Sequence, residues 1–127
     1  MERFLWICLA GALGTGARYL VGLWAGHRFG ASFPYGTLLV NVVGCFLIAA
    51  VAQTAMNVAT FPVTLRLALT TGFMGGLTTY SSFAFETTNL AQVGARGPAL
   101  VNFGVTTAAC FAAVLLGLGA ANALTRA

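Results

Sequence analysis

Lysine and aspartate are absent from this chain, and charge of either sign is scarce. Of 127 residues only 6% are charged, as six arginines and two glutamates, while 59% are hydrophobic. A soluble domain carries roughly 25% charged residues, so the composition excludes an ordinary water-soluble fold. The arginines form no basic run, which argues against a nucleic-acid partner, since phosphates call for clustered cations. One histidine, His27, and three cysteines, Cys8, Cys45 and Cys110, show no Cys-x-x-Cys or Cys/His spacing that would build a metal or redox centre. The cysteines, odd in number and each within apolar sequence, read as small buried thiols. With no nucleophile–base pairing or ligand cluster, the chain is not expected to be an enzyme.

What is abundant is apolar sequence and glycine: mean hydropathy is +0.91 and there are 16 glycines. The length accommodates four spans of about 20 residues and no soluble domain. The expected fold is an all-α, four-transmembrane-helix protein forming one integral membrane domain over residues 1–127, with spans about 4–26, 34–56, 63–90 and 98–124. Helices in lipid associate by close packing and polar contacts, which suits the small residues Gly11, Gly14 and Ala17 on one face of the first span. The stretch up to Ala17 also resembles a secretory signal. A retained helix is preferred, because apolar sequence resumes beyond Arg18.

Basic residues divide almost evenly between the two sides. The ends and the second connection carry Arg3, Arg66 and Arg126, and the opposite loops carry Arg28 and Arg96. A difference of 3 − 2 = 1 barely specifies orientation by the positive-inside rule. Two readings follow: the chain inserts in both orientations and antiparallel copies assemble, or a fixed topology rests on one decisive charge. No internal repeat is visible, so a symmetric pathway would need a second subunit.

Polar residues inside the spans are few. Thr71 to Glu86 reads TGFMGGLTTYSSFAFE, mostly glycine and hydroxyl from Gly75 to Ser82. Such a run suggests that the backbone opens there, which membrane depth tolerates only where the backbone is packed in protein or lines a cavity. Freed carbonyls at such a break suit a monovalent cation. Arg18 is costly in hydrocarbon and reads either as an anion-attracting vestibule or as a paired, snorkelling side chain. Glu86 reads either as a proton-coupling carboxylate or as a structural partner for Arg18 or for backbone amides. Asn41, on one face with Thr37, Gly44 and Cys45, reads as pore lining or interhelical glue. Asn102, Thr106 and Cys110 form an i, i+4, i+8 stripe that suits an ion track or ordinary helix–helix hydrogen bonds. Tyr80 and Phe83 share a face, and aromatic ring edges carry positive partial charge, suited with an amide N–H to a small, hard anion.

Three segments together, Gly-Ala-Arg-Tyr (16–19), Pro-Tyr-Gly-Thr-Leu-Leu-Val-Asn (34–41) and Thr-Gly-Phe-Met-Gly-Gly-Leu-Thr-Thr-Tyr-Ser-Ser-Phe (71–83) followed by Glu86, resemble the Fluc (CrcB) fluoride channel family. The resemblance implies an antiparallel, dual-topology homodimer with a broken third helix and two fluoride pathways. It also implies a structural sodium ion at the dimer centre, held by backbone carbonyls of Gly75 and Thr78. The implied fluoride pathway comprises Asn41, Tyr80 and Phe83, a hydroxyl track of Ser81, Ser82, Thr106 and Asn102, and Arg18 at the mouth. Position 80 departs from the pattern, with Tyr where the family usually has Phe.

The function expected on this resemblance is passive fluoride export across a cell membrane, the bacterial plasma membrane, with fluoride, sodium, lipid and a second copy as partners. The alternative is a small dual-topology exporter driven by protons through Glu86. The late position of Glu86 in its span argues against it.

Overall fold

The computed structural model describes residues 1–125, which form helices and short connections with no strand among them. Three helices are long and apolar enough to cross a membrane: α1 (Glu2–Phe29), α2 (Tyr35–Asn57) and α6 (Arg96–Thr125). The protein is an all-helical, multi-pass membrane protein. Between α2 and α6 the chain is divided into α3 (Val63–Leu67), a π-helical stretch (Ala68–Met74), α4 (Gly75–Leu77) and α5 (Tyr80–Gln92). Helices α1 and α6 run a few residues past the expected 4–26 and 98–124, because the backbone ladder continues through polar residues near the ends, whereas α2 lies within one residue of the expected 34–56. Arg126, one of the counted basic residues, lies outside the described residues.

Helix is dictated by the solvent: in hydrocarbon every backbone group needs an internal partner. The ends carry recognisable stops. Gly30 takes φ 82° and closes its N–H on Gly26 O at 3.0 Å, and Gly94 takes φ 86° just beyond α5. Both use the left-handed conformation that costs glycine little. Pro34 and Pro62 stand at the N-caps of α2 and α3, where a missing N–H is harmless.

Two close seams organise the molecule. In the first, α1 runs alongside the π-helical stretch and α4 in the same direction, with Gly72 against Ile7 and Gly76 against Gly11. A Cβ on Gly14 would lie 2.1 Å from Phe73 O, and one on Gly76 would lie 2.3 Å from Gly11 O. Glycine therefore sets the backbone separation, the role small residues play in membrane helix packing. The second seam joins α2 to α6, the most extensive pairing of elements. Ala49, Ala113, Gly117 and Ala121 are buried there, and a Cβ on Gly117 would lie 2.3 Å from Phe46 O. At its far end Asn57 Nδ2 donates to Asn122 Oδ1 (2.9 Å) and Thr125 Oγ1 (2.6 Å).

Between the seams lies a small apolar core of Val40, Met74 and Leu77. Leu9, Leu13, Leu20, Leu115 and Leu116 point outward, the surface expected of helices whose solvent is lipid. Cys8 is exposed among them, while Cys45 and Cys110 are half-buried. The expectation of three buried thiols therefore fails for Cys8, whose place in the helical period puts it on the outer face of α1.

Candidate functional site

The backbone departs from helix at two residues. Gly75 is helical (φ −61°, ψ −36°), whereas Thr78 (φ −83°, ψ 154°) and Thr79 (φ −153°, ψ 107°) are extended. The glycine pair thus serves the close approach of α1, and the opening falls just beyond it.

Asn41 of α2 holds the extended residue on both sides. Its Nδ2 donates to Thr79 O at 3.2 Å and its Oδ1 accepts from Thr79 N at 2.7 Å. An extended residue buried this deeply has no ladder partner, and leaving either group unpaired would cost about 1–3 kcal/mol. The primary amide, with donor and acceptor side by side, satisfies both. It retains a second N–H on Nδ2.

The hydrogen bonds across the opening are redistributed in a definite way. A continuing helix would bring the Thr79 N–H to Gly75 O, but that N–H is turned to Asn41. The Ser82 N–H, due at Thr78 O, goes instead to Thr79 Oγ1 at 3.2 Å. Gly76 O accepts from Arg18 Nε at 3.1 Å, and Thr79 O is taken by Asn41. The carbonyls of Gly75 and Thr78 thus lose their helical donors to Asn41 Oδ1 and Thr79 Oγ1. Thr79 also starts α5 as its N-cap, the role in which threonine relieves an orphan first-turn N–H.

Two cavities flank the opening. One, of ≈ 310 Å³, is lined by Asn41, Cys45, Thr78, Tyr80, Phe83 and Thr106 together with residues further along α6. It contains no charged group. Phe83 is buried at 5% exposure and stacks on Phe103, with centroids 6.2 Å apart, while Tyr80 is 78% exposed and tilts against Phe83 at 5.7 Å. The other, of ≈ 290 Å³, is lined by Arg18, Thr37, Thr79 and Ser82 with Tyr19, Gly22 and Leu23 of α1 and Gly36 of α2. Beside it, a third space of ≈ 280 Å³ opens towards the 30–35 connection and reaches Thr37, Glu86 and Asn89. Glu86 Oε1 accepts from Thr37 Oγ1 at 2.8 Å, and its buried Oε2 has no hydrogen-bond partner among the described residues. Arg18 and Glu86 therefore have separate partners, and neither is held by the other.

The named candidates separate accordingly. Asn41, Tyr80, Phe83 and Thr106 share the uncharged cavity, while Arg18 and Ser82 share the other. Ser81 is exposed at the start of α5, within 3.2 Å of Thr79 Oγ1. Asn102 lines none of these three cavities: at 1% exposure it donates to Thr87 Oγ1 (2.8 Å) and accepts from Thr106 Oγ1 (3.1 Å). It ties α6 to α5.

The family model described as CrcB-like protein, Camphor Resistance (CrcB), matches residues 5–118. The chain belongs to the CrcB family. The chain is 48% identical over 124 residues to a protein of Sorangium cellulosum (strain So ce56), covering 98% of both chains. Identity is 46% over 124 residues to one of Citrifermentans bemidjiense and 47% over 124 to one of Geobacter sp. (strain M21), each covering 98% of this chain and 100% of the relative. All three relatives carry the name fluoride-specific ion channel FluC.

Within this CrcB chain, Thr79 is the residue that sequence reasoning passed over. It is simultaneously N-cap, clamp partner of Asn41 and cavity wall. The signal was present as a threonine three residues before Ser82 at a helix start, an N-cap pattern. Thr87, the partner of Asn102, carries no comparable signal, because only the crossing of α5 and α6 brings the two together.

Proposed function

We propose that this chain is a fluoride-selective channel that lets the anion leave the cell passively. The observation that carries the reading is the uncharged cavity that gathers Asn41, Tyr80, Phe83 and Thr106 beside the opened backbone. A small anion there would meet the second Asn41 N–H and aromatic ring edges, but no fixed cation, while the Thr106 O–H is given to Asn102 Oδ1. Conduction needs binding favourable enough for entry and weak enough for release, and neutral donors supply that balance. Arg18, tied by one N–H to Gly76 O, keeps further donors and its charge for the adjoining cavity, where it would enrich anions. Ser82 and Ser81 extend the hydroxyl lining from that side, and Asn102 acts one step back by orienting Thr106. Glu86 lies away from the aromatic cavity and is engaged by Thr37, so no observation favours a proton-coupled exporter.

In this reading residues 63–92 form one interrupted span, the third of four in a single channel domain over 1–127. The working unit is an antiparallel homodimer of chains inserted in both orientations. A sodium ion would be held at the dimer centre by the Gly75 and Thr78 carbonyls, which suit it because the donors due to them are turned to Asn41 and Thr79 Oγ1. The charge of the ion would lock the two openings together. The membrane is the bacterial plasma membrane, and the protein works without catalytic chemistry.

The test is anion efflux from vesicles reconstituted with the purified chain. Fluoride should leave down its own gradient while chloride is retained. Flux that requires an imposed proton gradient, or passes chloride equally, would sink the reading.

A further inference from the structure

We propose that Cys45 and Cys110 form a two-coordinate site for a soft divalent cation, of which mercuric ion is the type, inside the Tyr80–Phe83 cavity. Both thiols are free and both line that cavity. The placement follows from the helices. Cys45 lies one turn beyond Asn41 on α2, and Cys110 lies one turn beyond Thr106 on α6. The two thiols thus form the next rung after the amide and hydroxyl. The α2–α6 seam, closed by Gly117 against the Phe46 carbonyl, holds that rung at a set width.

The donor set selects the metal. Thiolate sulfur prefers soft cations. Among the described residues no group of three His, Cys, Asp or Glu side chains is placed to hold an ion, so a four-coordinate zinc centre is not built here. A cation satisfied by two sulfurs in line fits. Binding is a ligand exchange without redox change: each thiol gives up its proton, each sulfur donates a pair to the metal, and two protons leave. Two thiolates on a divalent ion make a neutral complex, which suits a cavity without counter-charge. The site stands whether or not the cavity conducts fluoride.

The experiment titrates the full-length Cys8→Ser chain in detergent with mercuric ion, following the ultraviolet mercury–thiolate absorbance and proton release. One ion per chain and two protons per ion are expected. Cys45→Ser and Cys110→Ser, each in that background, should weaken binding roughly 100-fold or more, because the second thiolate acts as a tethered ligand at high effective concentration. Cys45→Ala and Cys110→Ala serve should a serine variant fail to elute as folded protein. Two ions bound independently per chain, or unchanged affinity in any folded single variant, would overturn the proposal.

Discussion

The cavity beside Arg18 and the cavity beside Tyr80 lie on either side of the same two-residue opening: Thr79 lines the first and Thr78 the second. Their chemistry is nonetheless opposed. The first carries an arginine, hydroxyls and the Tyr19 ring, and the second carries an amide, hydroxyls, thiols and aromatic rings with no charge. Asn41 joins them, since it lines the uncharged cavity while holding the backbone residue that walls the charged one. The difference teaches where charge is useful to a small anion. At a mouth a cation raises local concentration, whereas deeper in it would hold the anion too firmly to let it leave.

The most severe way to break the contrast is Asn41→Asp. The carboxylate keeps an acceptor for Thr79 N but sets an oxygen against Thr79 O, and it places a negative charge in the uncharged cavity. Fluoride efflux should fall to the background of empty vesicles, and efflux near the parent rate would refute the role given to Asn41. Next comes Gly76→Ala, which forces a Cβ to within 2.3 Å of Gly11 O and 2.9 Å of Thr15 N. Backbone cannot yield as a side chain does, so a loss of about 1–3 kcal/mol is expected, read as a lower thermal midpoint in detergent. Gly16→Ala, with nothing within 4 Å, should leave that midpoint in place.

Removing the charge with Arg18→Ala should lower efflux several-fold at low salt and less at high salt, because screening already weakens a mouth charge. It also leaves Gly76 O without its donor. Equal loss at every ionic strength would mean that Arg18 is purely structural. The smallest effect is expected from Tyr80→Phe. The Tyr80 ring is 78% exposed and its hydroxyl makes no hydrogen bond among those described, so efflux should stay within about twofold, about 0.4 kcal/mol on the scale where tenfold is 1.4. A large change would assign the hydroxyl a place in the pathway.

Much of this was legible in the residues. Apolar stretches bounded by Pro34 and Pro62 mark helices, because proline punctuates the backbone by local sterics. Asn41, Arg18 and the Gly75–Ser82 run stood out because polar groups at membrane depth are expensive. What stayed illegible was which polar group met which. Glu86 was weighed as a partner of Arg18 or of backbone amides, but it takes the Thr37 hydroxyl. Asn102 was read as part of an ion track or of ordinary helix–helix hydrogen bonds, and it bonds Thr87 across α5 and α6. Gly75 and Gly76 marked the opening, but they are helical and the extended pair is Thr78–Thr79.

Taken by itself, the sequence determined the class of molecule and the inventory of its interior. Long continuous apolar stretches with so little charge point to helices in lipid, where polar side chains call for partners. Only the tertiary structure decided the partners. The hydrogen bonds of Asn41 to Thr79 span 38 residues and that of Arg18 to Gly76 spans 58. Such pairings depend on how closely helices approach, which Gly14, Gly76 and Gly117 set through backbone contacts that no local pattern records.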